Sequence, residues 1–301
     1  MIPLVYHASY SQLALPPNHR FPVSKYQHLR DWLMANGHAI PSQFVSPTPV
    51  NEQQLGFIHH PDYVHGFFNN QLDPRVMRRI GFPWSEQLLE RTRHAVAGTQ
   101  LAAMQALEYG AALHLSGGYH HAHTEFGSGF CVFNDLILAA RSAIDSGRAN
   151  KVLILDCDVH QGDGTAAMGQ RYDDIITCSF HAGRNFPARK QLSDHDIEFA
   201  DRCDDSEYLA TVESVSTYLI RLCQPDLVLY DAGVDIHQDD DLGYLSVSTE
   251  GLYKRDSIIL SAAREHNIPV AAVIGGGYSK DPMALTQRHC QLFLAANQIF
   301  G

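Results

Sequence analysis

The chain has 301 residues, 45% of them hydrophobic and 18% charged: enough apolar mass for a large core, and too ordered a balance for long disordered tracts. Its formal net charge of −11 argues against nucleic acid and against an anionic membrane as partners. No apolar run approaches the roughly 18 residues of a membrane-crossing helix, and the start Met1-Ile2-Pro3-Leu4 carries no basic leader, so the sequence predicts a cytoplasmic protein.

In chain order, a strand-like run at 2–6 precedes a helix at 23–36. An irregular stretch at 66–85 follows, its Phe67, Phe68, Phe82 and Trp84 expected to pack it onto the body. A long helix at 86–109 ends at Gly110 and leads to a strand at 112–115. Then come helix 135–146, strands 152–157 and 174–180, and a polar segment at 181–205 that predicts a long loop. Helix 206–223, capped by Asp204 with Glu207, precedes strand 226–231. Helix 249–266, with Thr249 as its expected cap, strand 269–274 and helix 282–297 complete the chain. The Val/Ile/Leu-rich strands suit a sheet covered on both faces. The alternation predicts one α/β domain over 1–301, doubly wound, with a mainly parallel central sheet flanked by helices. Cys131, Cys157, Cys178, Cys203, Cys223 and Cys290 form no CxxC pair and suit reduced thiols.

Polar clusters follow four of the strands. Gly117-Gly118-Tyr119-His120-His121 follows the strand at 112–115, and Asp156-Cys157-Asp158-Val159-His160-Gln161-Gly162-Asp163 closes the one at 152–157. Gly233-Val234-Asp235 and Gly275-Gly276-Gly277-Tyr278 follow the strands at 226–231 and 269–274. In a parallel sheet all four reach one edge, where such folds bind ligands. Asp156, Asp158 and His160 alternate along an extended segment and share a face. Acids and imidazole at a core edge call for a cation, and Asp158, His160 and Asp235 form a two-carboxylate, one-imidazole set. Asp156 and Asp163 remain to orient His120 and His121 as acid–base dyads. The glycines before Tyr278 fit no phosphate-loop spacing and instead present a phenol able to donate to an oxyanion. No serine elbow is present, so metal-assisted hydrolysis leads.

The stretches 117–135, 156–166, 181–187, 231–243 and 275–279 together resemble the zinc-dependent histone deacetylase family, within the arginase/deacetylase fold. The start of the chain is similar to bacterial deacetylases near the class IV branch. The resemblance implies zinc on Asp158, His160 and Asp235, with ferrous iron accepted by the same donors, and a structural potassium held by carbonyls around Asp156, Asp158 and His160 with Ser179. It implies His121 as base and then acid, His120 as a protonated or electrostatic partner, Asp156 and Asp163 as their orienting acids, and Tyr278 as the carbonyl polariser. It implies a channel with the Gly129 carbonyl as acceptor and Phe130 and Phe186 as walls. Asp62, in His59-His60-Pro61-Asp62-Tyr63, is expected either on the entrance rim or in a turn before a helix. Leu242 stands where polyamine-selective relatives carry an acid. The implied substrate is an acylated lysine in a protein or peptide, or a small acylated amine. An acetylpolyamine amidohydrolase and a non-catalytic acyl-lysine binding module are the alternatives, and the oligomeric state is not implied. An acidic surface could favour a cationic substrate, but most acidic proteins carry such a charge simply as a soluble surface.

Overall fold

The computed structural model describes residues 1–301. Its centre is a sheet of eight strands, all parallel: β1 (Leu4–Val5), β2 (Phe44–Val45), β3 (Ala111–His114), β4 (Val152–Asp156), β5 (Ile175–Ala182), β6 (His195–Phe199), β7 (Leu227–Asp231) and β8 (Val270–Val273). The order across the sheet is β2-β1-β3-β8-β7-β4-β5-β6. Every residue of β3, β4, β7 and β8 is buried, which explains their unbroken apolar runs.

Ten helices flank the sheet: α1 (Lys25–Ala35), α2 (Glu52–Leu55), α3 (Pro61–Phe68), α4 (Pro74–Ile80), α5 (Glu86–Tyr109), α6 (Asp135–Asp145), α7 (Asp163–Gly169), α8 (Asp205–Cys223), α9 (Thr249–Glu265) and α10 (Pro282–Phe300). The long α5 starts where Ser85 Oγ accepts the Leu88 N–H at 3.1 Å, and stops at Gly110, whose φ of +86° favours glycine. Asp204 caps α8 through the N–H groups of Ser206 and Glu207. One hydrophobic cluster of 83 buried residues joins sheet and helices. No helix is long and apolar enough to cross a membrane.

Three local expectations change. The segment 181–205 is not one long loop: β5 runs on to Ala182, and β6 adds a parallel edge strand beside it. Its half-exposed, alternating residues hide it from a search for apolar runs. The stretch 66–85 holds the end of α3 and all of α4, short helices started by Pro61 and Pro74 in their first turns. Helix α9 is capped by Ser248, which accepts the Gly251 N–H at 3.0 Å, with Thr249 as the first helical residue.

Candidate active site

The strands β3, β8, β7 and β4 are neighbours in the sheet, so the segments that follow them converge at one edge. Asp158, His160 and Asp235 meet there, with ligand atoms all within 4.8 Å of one another. His160 Nδ1 lies 2.9 Å from Asp158 Oδ1 and 3.2 Å from Asp235 Oδ2. Donor atoms around a tetrahedral zinc at ~2.0–2.1 Å would sit about 3.3 Å apart, so these spacings suit a divalent ion. Backbone N–H groups fix both acids. Gly276 donates to Asp158 Oδ2 at 2.8 Å, and Val159 to Asp235 Oδ1 at 2.9 Å. Asp235 Oδ2 is buried and makes no hydrogen bond of good geometry, with the His160 ring alongside it at 3.2 Å. A carboxylate oxygen and an imidazole nitrogen buried side by side without a good hydrogen bond are a donor pair that a cation would satisfy. Burial and the neighbouring Asp158 push the Asp235 carboxyl up to about 6 against the opposing pull of His160.

The loop bearing Asp235 is held from below. Arg255 of α9 donates to the carbonyls of Gly233 at 2.5 Å and Ala232 at 3.1 Å, and pairs with Asp256. On the other side, Asp135 at the start of α6 accepts the N–H groups of Gly118 and Tyr119 and so positions the two histidines.

His120 Nδ1–H donates to Asp156 at 2.7 Å, and His121 Nδ1–H to Asp163 at 2.6 Å. Burial disfavours charge on His120, yet Asp156 and Asp158 outweigh it and hold this imidazole well above its usual pKa. Burial and then the neighbouring His120 push His121 down to about 4, even with Asp163 opposing. One ring thus holds its proton readily and the other stays neutral.

Above this floor is a cleft of about 720 Å³. Its lining includes His120, His121, Asp158, His160, Gly129, Phe130, Phe186, Leu242 and Tyr278, while Asp156 and Asp235 lie behind it. Phe130 adopts φ +67°, in the left-handed region, which turns its ring toward the cleft's apolar side beside Phe21 and Phe82. Phe186 stands edge-on to His121 with ring centres 4.8 Å apart. Tyr278 is fixed through its backbone, its N–H donating to Asp240 at 2.7 Å. Asp62 does not line the cleft: it sits in the first turn of α3 with its side chain 95% exposed.

Several site residues escaped the sequence reading. His123 donates to the second oxygen of Asp163 at 3.0 Å, so one acid serves two imidazoles. Asp240 grips Tyr278 and also accepts the N–H groups of Leu242 and Gly243. Asp231 is a buried acid beside His120 and Asp156, and its Oδ2 has no partner. All three stand inside motifs already singled out by the sequence, but only the fold gives them partners.

The histone deacetylase domain model matches residues 19–294. The chain belongs to the histone deacetylase family. Histone deacetylase 2 of Arabidopsis thaliana is 29% identical over 290 residues, covering 93% of this chain and 75% of that one. The acetoin utilization protein AcuC of Staphylococcus aureus (strain MRSA252) is 27% identical over 273 residues, covering 82% and 69%. An uncharacterized protein of Picosynechococcus sp. is 43% identical over 298 residues, 99% of each chain. Among solved structures, the HDA15 HD domain superposes with a TM-score of 0.80 over 99% of this chain and 90% of that one, at 18% identity, a likeness of fold. Membership of the histone deacetylase family supports deacetylase hydrolase chemistry on acetylated substrates in general, and the buried Asp158, His160 and Asp235 suit the metal dependence general in that family.

Proposed function

We propose that residues 1–301 act as one catalytic domain, a cytoplasmic amidohydrolase that removes an acetyl or other acyl group from an N-acyl-lysine-type amine. The observation that carries this reading is the convergence of two acid-anchored imidazoles on the floor that holds the three-donor cluster. Asp158, His160 and Asp235 would hold zinc, or ferrous iron, whose bound form activates water and polarises an acyl carbonyl.

The chain's own groups supply the remainder. Phe130 and Phe186 flank the alkyl chain of the substrate and keep water from it, with Leu242 beside them. The Gly129 carbonyl accepts the substrate amide N–H. His121 Nε2 takes a proton from the attacking water, and Asp163 stabilises the imidazolium that forms. That proton then passes to the departing amine nitrogen, leaving a carboxylate and a free amine. His120 remains protonated on Asp156 and adds positive field. The Tyr278 hydroxyl donates to the oxygen on which charge develops. A structural potassium would sit where Asp156 and Ser179 pair in register between β4 and β5.

The test is acetate release from an acetyl-lysine peptide by protein stripped of metal and then reloaded with zinc. Zinc-dependent turnover that disappears in Asp235→Ala is the expected result. A folded, zinc-loaded protein with no turnover would overturn the reading.

A further inference from the structure

The mouth of the cleft carries charge of the sign opposite to the whole protein. Arg20, Arg79 and Arg189 line it with exposed side chains. Only two acids line the cleft, Asp158 and Asp163. Both belong to the floor, one to the three-donor cluster and the other to His121 and His123. None of these three arginines forms an ion pair with an acid, so their charges stand unneutralised at the opening. In a chain with 33 acids and 22 lysines and arginines, three unpaired guanidinium groups around one opening are not a reflection of bulk composition.

They are also placed on both walls. Arg79 lies over the Phe126 ring at 3.6 Å, and its carbonyl accepts the Gly129 N–H at 3.2 Å, next to the Phe130 wall. Arg20 adjoins Phe21, whose ring centre is 5.5 Å from that of Phe130. Arg189 follows the opposite wall, Phe186, in a loop tied by Lys190 Nζ to the carbonyls of Asn185 and Pro187. A substrate side chain that enters between the walls leaves its backbone and flanking residues at the mouth.

We propose that this mouth selects substrates bearing anionic groups next to the acylated amine, and that the preferred substrate is an acyl-lysine flanked by aspartate or glutamate. The proposal rests on the acyl-lysine reading above and names its substrate class. Guanidinium forks match carboxylates bidentately, and a cationic tail would meet three like charges. The local field at the opening therefore favours anionic groups on a chain whose net charge is −11.

The experiment compares three acetyl-lysine peptides that differ only in glutamate, glycine or lysine flanks, together with acetyl-lysine carrying a free or an amidated carboxyl. Turnover of zinc-loaded protein and peptide binding by fluorescence anisotropy are both measured at low and high salt. Both are expected to follow glutamate over glycine over lysine, with each arginine worth about two- to fivefold and the differences shrinking at high salt. Arg79→Gln should narrow the glutamate-to-glycine ratio by that factor. Equal binding and turnover of all three peptides would overturn the proposal while leaving the hydrolase reading intact. Tighter binding of the glutamate peptide with no turnover of any would uphold it and remove the hydrolase reading. Preference for free acetyl-lysine over every peptide, lost on amidation, would uphold the anionic chemistry and assign it to a small acylated amino acid.

Discussion

His120 and His121 face each other through their Nε2 atoms at 3.2 Å. Each Nδ1–H is already committed to its own acid, Asp156 or Asp163. Two imidazolium rings this close would repel, so the pair holds a single extra proton; Asp156 and Asp158 favour it on His120, leaving the His121 Nε2 lone pair free. Asp163→Asn would present an amide donor to His121 Nδ1 and favour the wrong tautomer. We expect kcat to fall by about 10²–10⁴ with little change in KM, measured by steady-state acetate release on protein whose circular dichroism is unchanged.

Asp235→Asn should move stability in two directions. Without metal, replacing a buried acid beside Asp158 relieves repulsion, and the Val159 N–H keeps an acceptor, so the melting temperature rises. With zinc, the wild type gains about 4 kcal/mol at a free concentration a thousand times Kd, and the variant gains far less. Thermal melts with chelator and with zinc, together with bound-metal analysis, check the crossing.

Gly276→Ala should empty the metal centre while the chain still folds. An added Cβ would collide with the carboxylate oxygens of both Asp158 and Asp235. Gly276 also supplies the N–H that fixes Asp158 Oδ2. The expected outcome is loss of stoichiometric zinc, read by metal analysis, with the far-ultraviolet spectrum retained.

His59 predicts acid sensitivity away from the floor. Its Nδ1–H donates to the His123 carbonyl at 2.9 Å, and its Nε2 accepts the Asn134 N–H at 3.0 Å. Only a neutral ring satisfies both. Burial pushes its pKa down to about 4, below the ~6.5 of an unfolded chain. Above about pH 6.5 neither state binds the proton and its full contribution to stability is present. As pH falls from about 6.5 toward 4, the unfolded chain takes up a proton that the folded chain refuses, and stability drops. Buried His114, pushed down to about 3, acts in the same sense. Each contributes a slope of up to about 1.4 kcal/mol per pH unit. Urea midpoints from pH 7 to 4.5 should fall, and His59→Gln should flatten the slope.

The sheet and its chemical edge were legible because they depend on local pattern. Strands β4 and β7 are continuous apolar runs that end in Asp156 and Asp231, and parallel pairing carries their polar sequels to one side. The edge strand β6 was hidden because its alternating polar residues serve neighbours: Asp196 accepts from Gln161 across to the active-site segment. The second partner of Asp163 was hidden for a different reason. Nothing in the spacing of His121, His123 and Asp163 says that both oxygens of one carboxylate are used. The arginine-lined mouth was least visible. Arg20, Arg79 and Arg189 come from segments far apart in the chain, and only tertiary packing collects them.

The adjacency of β3, β8, β7 and β4 separates two kinds of inheritance in this molecule. The reacting groups sit on the segments that directly follow this central ladder of buried strands. The walls at Phe130 and Phe186, and the arginines beside them, lie on connecting segments outside that ladder. Descendants of such a chain can change what they admit, residue by residue, without disturbing what they do to it.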